Sequence, residues 1–107
     1  MTVRDLANIE EFKQVSDMTD TEITKVFCCD LLSIAMGKAP AGSAWVTVMA
    51  NVNTLAVATL TDVACIILAE GVSLENDLIE KAKEEGIAVL KTDLSIFDSA
   101  LLINKSL

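Results

Sequence analysis

Ala64-Cys65-Ile66-Ile67-Leu68-Ala69-Glu70-Gly71 decides the fold. A short apolar run stopped by an acid and a glycine reads as a strand buried on both faces. The same rhythm repeats outward from it. Upstream, Ala44 to Met49 is β-rich through Trp45, Val46, Thr47 and Val48, and Asn53 to Thr61 is predicted to be a helix with Asn53 as its N-cap. Downstream, Ser73 is expected to cap a helix from Leu74 to Glu85 that Gly86 stops. Ile87 to Leu90 forms another apolar strand, and Asp93 or Ser95 caps a last helix from Ile96 to about Lys105. Uninterrupted apolar strands alternating with helices predict an α/β fold. Its expected form is a three-layer α/β/α arrangement with a mostly parallel sheet covered on both faces.

The N-terminal part is less regular. Thr2 can cap a short helix carrying Val3, Leu6 and Ile9, with Asp5 placed to complete a capping box. Phe12 to Ser16 and Ile23 to Phe27 are strand candidates, with Asp17 to Glu22 as the turn between them. Asp30 is expected to open a helix from Leu31 to Met36, ended by the loop Gly37-Lys38-Ala39-Pro40-Ala41-Gly42. No internal repeat or low-complexity linker divides the chain, so residues 1–107 are expected to form one domain.

Composition excludes several functions. In 107 residues, 16 acids oppose 8 Lys and Arg, giving a net charge of −8. That disfavours nucleic acid and anionic membranes as partners, since both need a cationic surface. The absence of His removes Ser–His and Cys–His nucleophiles and His-ligated zinc. The apolar content of 52% comes in runs far shorter than the ~20 residues of a membrane span. An odd count of three Cys, two of them adjacent at Cys28 and Cys29, suits a reducing cytoplasm and offers no metal-ligand spacing. Gly37-Lys38-Ala39 approaches a phosphate-binding loop, but Leu32 stands where that loop needs Gly and Ala39 where it needs Ser or Thr. No metal or cofactor is expected.

Two helices contrast. Leu74, Leu78 and Ala82 make one stripe of an amphipathic helix whose other face carries pairs such as Asp77 with Lys81. In Asn53 to Thr61, Leu55, Ala56, Val57, Ala58 and Leu60 point nearly all round. A covering helix in so small a domain should have one wet face, so a homodimer is expected, with Leu55, Val57 and Leu60 as its interface.

Parallel sheets bind ligands beyond the carboxyl ends of their strands. Those ends supply Cys29 and Asp30, then Asn51 and Asn53, then Glu70 and Gly71, then Thr92 and Asp93. These eight are the candidate ligand-binding residues. Asn53, Ser73, Asp30 and Asp93 read first as helix caps, and Gly71 as a backbone requirement.

The stretch Gly42-Ser43-Ala44-Trp45-Val46-Thr47-Val48-Met49-Ala50-Asn51-Val52 resembles the strand and signature loop of DRTGG domains. Ala64 to Val72 is similar to their next strand and glycine turn, and Glu80 to Asp93 to their following helix, strand and Thr-containing end. Cys29-Asp30-Leu31-Leu32-Ser33 is similar to small stand-alone members labelled HPr-kinase-like. The resemblance implies an α/β/α fold like the N-terminal, non-catalytic domain of HPr kinase/phosphorylase, in a family whose members serve as regulatory modules beside phosphotransacetylases or CBS domains, or alone. Where the family carries a Gly-Asp-Arg type loop, this chain has Ala50-Asn51-Val52, so only the position of that loop carries over.

The expected function is a non-catalytic regulatory or sensor domain. It is a homodimer that binds a small metabolite or nucleotide-like ligand at the carboxyl ends of the strands. The alternative is a protein–protein interaction module serving a neighbouring enzyme or signalling complex. A third reading is an enzyme using Cys29 as nucleophile, with Asp30 or Glu70 as acid–base groups.

Overall fold

A computed structural model describes residues 1–107. Its elements are α1 (Val3–Ala7), β1 (Lys13–Gln14), β2 (Lys25–Cys28), α2 (Leu32–Lys38), β3 (Ser43–Thr47), α3 (Val52–Thr61), β4 (Cys65–Leu68), α4 (Asn76–Glu85), β5 (Val89–Lys91) and α5 (Ile96–Lys105). The sheet order is β1-β5-β4-β3-β2. Strands β2 to β5 are parallel, and β1 is antiparallel to β5. The expected three-layer α/β/α architecture with a mostly parallel sheet is present. No helix is long and apolar enough to cross a membrane.

Side chains alternate across a strand, so β3 and β4 feed two cores. Ala44, Val46, Cys65 and Ile67 point to the layer holding Val3 and Leu6 of α1 and Ile103 of α5. Trp45, Ile66 and Leu68 point to the layer holding Ala35 of α2, Leu55, Val57 and Ala58 of α3 and Ala82 of α4. From β2 to β5 each strand pairs with the next in sequence, so every crossover steps the same way. Right-handed crossovers then place α2, α3 and α4 on one face, leaving α1 and α5 for the other. Four parallel strands wound in one direction have no reversal of strand order, hence no switch-point crevice among them. The sheet's one change of direction is at β1 against β5.

That edge corrects the N-terminal expectation. Phe12 to Ser16 shrinks to Lys13–Gln14, and Asp17 to Glu22 is not a tight turn between neighbours. It carries the chain from the β5 edge to the β2 edge, held by Val3 N–H to Thr21 O (3.0 Å), Arg4 N–H to Thr19 O (3.0 Å) and an isolated Thr2–Glu22 bridge. Beyond β1 the ladder is continued by Val15 and Ser16 N–H to Val89 O (2.9 and 3.2 Å) and by a side chain. Ser16 Oγ donates to Ile87 O (2.6 Å) and accepts from Val89 N–H (2.8 Å), both buried.

Helix starts also differ from expectation. The Thr2–Asp5 capping box is present, and bonds from the Thr2 backbone and hydroxyl hold the Asp5 carboxyl below its ordinary value. Asn51, not Asn53, caps α3 by accepting from Thr54 N–H at 3.1 Å. Ser95, not Asp93, caps α5 through Asp98 N–H at 3.0 Å. Helix α4 begins at Asn76 rather than Leu74, behind Glu75 and without a side-chain cap, so Ser73 caps nothing. Asp30 does not cap α2, whose N-cap is Leu31. Gly37 does not end α2 either. The helix continues to Lys38 and stops at Ala39 (ψ 119°), because Pro40 disfavours helical geometry in the residue before it.

Ser43 opens β3 fully buried, and its Oγ has no hydrogen-bond partner. A buried hydroxyl without a partner costs about 1–3 kcal/mol of desolvation. Ser43→Ala is therefore expected to raise the stability measured by urea unfolding by about 1 kcal/mol. A loss of that size would contradict the assignment of an unpartnered hydroxyl.

Candidate functional site

Parallel pairing brings all the predicted strand ends to one edge of the sheet, but it divides the eight candidates into three groups. At the end of β2, Asp30 Oδ1 accepts from Thr47 Oγ1 (2.7 Å) and from Val48 N–H (2.9 Å), while Thr47 Oγ1 accepts from Met49 N–H (3.2 Å). Its carboxylate thus ties the end of β2 to the end of β3. Cys29 is tied in beside it. Its carbonyl accepts from Trp45 Nε1 (3.0 Å) and its thiol donates to Leu31 O (3.3 Å). Both residues are engaged in holding the edge together.

Two of the three thiols sit where the thiolate is disfavoured. Partial burial, and then the Asp30 charge, push the Cys28 thiol above its ordinary value. Complete burial pushes Cys65 up to about 12. A nucleophilic thiol needs an electropositive surrounding, and the charge beside Cys28 is an acid, Asp30. No group of three or more Cys, Asp or Glu side chains converges to hold a metal ion.

At the end of β3, Asn51 is the α3 cap and also lines an open cleft of about 480 Å³ with Ala50, Val52, Glu75, Asp77, Leu78 and Lys81. Asn53 is exposed on the first turn of α3 and lines no cavity.

The third group does converge. Glu70 (φ 58°) and Gly71 (φ 72°) both take left-handed backbone, and Val72 N–H closes the turn onto Ala69 O at 3.2 Å. This turn is clasped to the end of β5 by Glu70 N–H to Leu94 O (2.8 Å) and Gly71 N–H to Thr92 O (2.9 Å). Thr92 is buried, and its hydroxyl accepts from Leu94 N–H at 3.2 Å. A Cβ added at Gly71 would lie 3.3 Å from Asp93 Oδ1. Glycine there satisfies both the positive φ and the close approach. Glu70 in the left-handed region costs on the order of 1 kcal/mol, a kind of strain that gathers at binding sites.

Gly71, Thr92 and Asp93 line a pocket of about 90 Å³ together with Glu11, Lys13 and Lys91. Glu11, Lys13, Thr92 and Asp93 also line an adjoining cleft of about 430 Å³, with Glu10 and Leu94. Lys13 and Lys91 are directly opposite in the β1–β5 register. Sequence reasoning missed this pair because nothing local links residue 13 to residue 91. Lys91, closing the apolar run Ile87 to Leu90, was the available hint.

The interface expectation is corrected in part. Leu55 is 1% exposed and Val57 3%, because both face the sheet and belong to the core of this subunit. Leu60 is 71% exposed. The outward stripe of α3 is Val52, Ala56 and Leu60, spaced every four residues, beside the exposed Ile34 and Met36 of α2.

The family model of the DRTGG domain matches residues 19–106. It leaves α1 and β1 outside the match. No curated protein matches the sequence. Among solved structures, the chain is similar to the CBS and DRTGG domains of the regulatory region of a Clostridium perfringens pyrophosphatase, described in complex with its activator, diadenosine tetraphosphate. The TM-score is 0.79 at 17% identity, over 99% of this chain and 47% of that one. The chain thus spans about half the length of that regulatory region, and the likeness is one of fold.

Proposed function

The chain belongs to the DRTGG domain family, and from that membership we propose that it is a non-catalytic, cytoplasmic regulatory domain. It binds a small metabolite or nucleotide-like ligand at the carboxyl edge of its sheet. The clasp between the Glu70–Gly71 turn and Thr92–Leu94 carries this reading. It sets strained backbone, a buried hydroxyl and two lysines around connected clefts, at the edge where parallel sheets take their ligands. The pyrophosphatase region with the same fold is described with a nucleotide activator, which supports the ligand class. The raised Cys28 thiol and the structural duties of Cys29 and Asp30 weigh against the thiol-enzyme alternative.

Thermal unfolding against a library of nucleotides and central metabolites tests the reading. A ligand at a hundredfold excess over its Kd should raise the midpoint by roughly 10–20 °C for a domain of this size. Silence across the library would overturn ligand binding and favour a protein partner docking on the exposed residues of α2 and α3. The same stripe, Val52-Ala56-Leu60, is the proposed homodimer contact. Sedimentation at micromolar concentration should give twice the monomer mass, and a clean monomer would remove the dimer.

A further inference from the structure

Lys13 and Lys91 bring two cations of this acidic chain to one pocket. Directly opposed residues of an antiparallel pair project from the same face of the sheet, and like charges placed so repel. The chain's ion pairs join the N-terminal ammonium to Glu22, Arg4 to Asp20, Lys81 to Glu85 and Lys83 to Glu80, while Lys25, Lys38 and Lys105 stand singly without one. Neither Lys13 nor Lys91 has a carboxylate within 4.0 Å, although Glu11 and Asp93 line the same pocket. What sets this pair apart is that its two ammonium groups face each other with no direct ion pair to either carboxylate, a repulsion that an anion between them relieves.

From this we infer that the ligand is phosphorylated, with its phosphate between Lys13 and Lys91 in the pocket beside Gly71 and Thr92. The inference rests on the proposed ligand-binding role and names its chemistry. Gly71 leaves the approach to the pocket open, since it carries no Cβ. The adjoining cleft receives the rest of the molecule. Its carboxylates at Glu10, Glu11 and Asp93 accept hydrogen bonds, so the remainder carries donors such as sugar hydroxyls or an amine. A bare polyanion would meet these acids unfavourably. The chemistry points to a nucleoside or sugar monophosphate rather than a long polyphosphate. Binding weakens with added salt, because Lys13 is exposed and Lys91 only half-buried.

The test titrates the full chain with inorganic phosphate, ribose 5-phosphate, adenosine 5′-monophosphate and adenosine, following backbone amide resonances. Saturable shifts at Gly71, Thr92 and Asp93 are expected with the phosphorylated probes and not with adenosine. The two phosphate esters should bind more tightly than inorganic phosphate, and their order distinguishes nucleotide from sugar phosphate. Lys91→Met and Lys13→Glu should each weaken binding about tenfold or more, while Lys25→Met, at the opposite edge of the sheet, leaves it unchanged. Lys13→Glu turns a repulsive pair into an attractive one, so it should raise the thermal midpoint while it weakens binding. A structural role for Lys13 would predict the reverse. Binding that ignores both lysines, adenosine binding as tightly as its phosphate, or silence with all four probes would each overturn the inference. The broader ligand-binding reading falls only if the metabolite library is silent as well.

Discussion

Leu55→Ala lowers the unfolding free energy by about 3 kcal/mol, within the 2–5 kcal/mol typical of buried leucines, whereas Leu60→Ala changes it by less than about 0.5 kcal/mol. Both residues lie on α3, and sequence periodicity places them in one apolar cylinder. The structure separates them. Leu55 packs with Trp45, Ile66 and Leu68 under the sheet, and Leu60 stands 71% exposed. Urea unfolding of both variants at two protein concentrations makes the distinction. A loss for Leu55→Ala that is independent of concentration places the residue in the subunit's own core. If the loss instead tracked concentration, Leu55 would be a subunit contact, because only association makes stability depend on protomer concentration.

Ser16→Ala carries the second large effect, a loss of about 3 kcal/mol. The hydroxyl both donates to Ile87 O and receives Val89 N–H, at 1% exposure. Alanine removes the hydroxyl and leaves two buried backbone groups without a partner, each costing about 1–3 kcal/mol. Chemical denaturation with an unchanged m-value should report the loss as a shift in midpoint. A change below about 1 kcal/mol would mean that β1 is held by other contacts. Because Ser16 anchors the segment just after Lys13, the variant also loosens the lysine pair. It should therefore weaken phosphate-ester binding without touching either lysine.

What was legible in the sequence follows from the range of each signal. Strand β4 is an uninterrupted apolar run and β3 an apolar centre between Ser43 and Thr47, and both stand close to their expected bounds because burial on both faces leaves few polar positions to confuse the period. The helices were legible as elements, but their first residues were not. Asn51 and Asn53 are equally good caps by residue type, and backbone geometry chose Asn51 (φ −134°, ψ 172°). Once Asn51 became the cap, a residue read as ligand contact acquired a structural duty. Asp30 exchanged its expected capping role for a bond across to β3. The all-round apolar character of α3 was real, but direction was missing. A list of apolar residues does not say that Leu55 and Val57 face one way and Leu60 the other. Gly71 and Thr92 were both named as strand ends and do meet. Their lysine neighbours were invisible because edge pairing between β1 and β5 leaves no local pattern.

The placement of β1 also dictates an order of events during synthesis. Ser16 meets Val89 across 73 residues of chain, so its partner reaches solution only after nearly everything between has been made. At translation rates of 5–20 residues per second the delay is roughly 4–15 s. Through that interval the N-terminal segment waits while β2, β3 and β4 already have neighbours to pair with. The lysine pocket thus forms only after β5 has been made, late in synthesis and ahead only of α5. A chain not yet grown through β5 cannot bind through it, and a ligand held there certifies that β1 and β5 have paired.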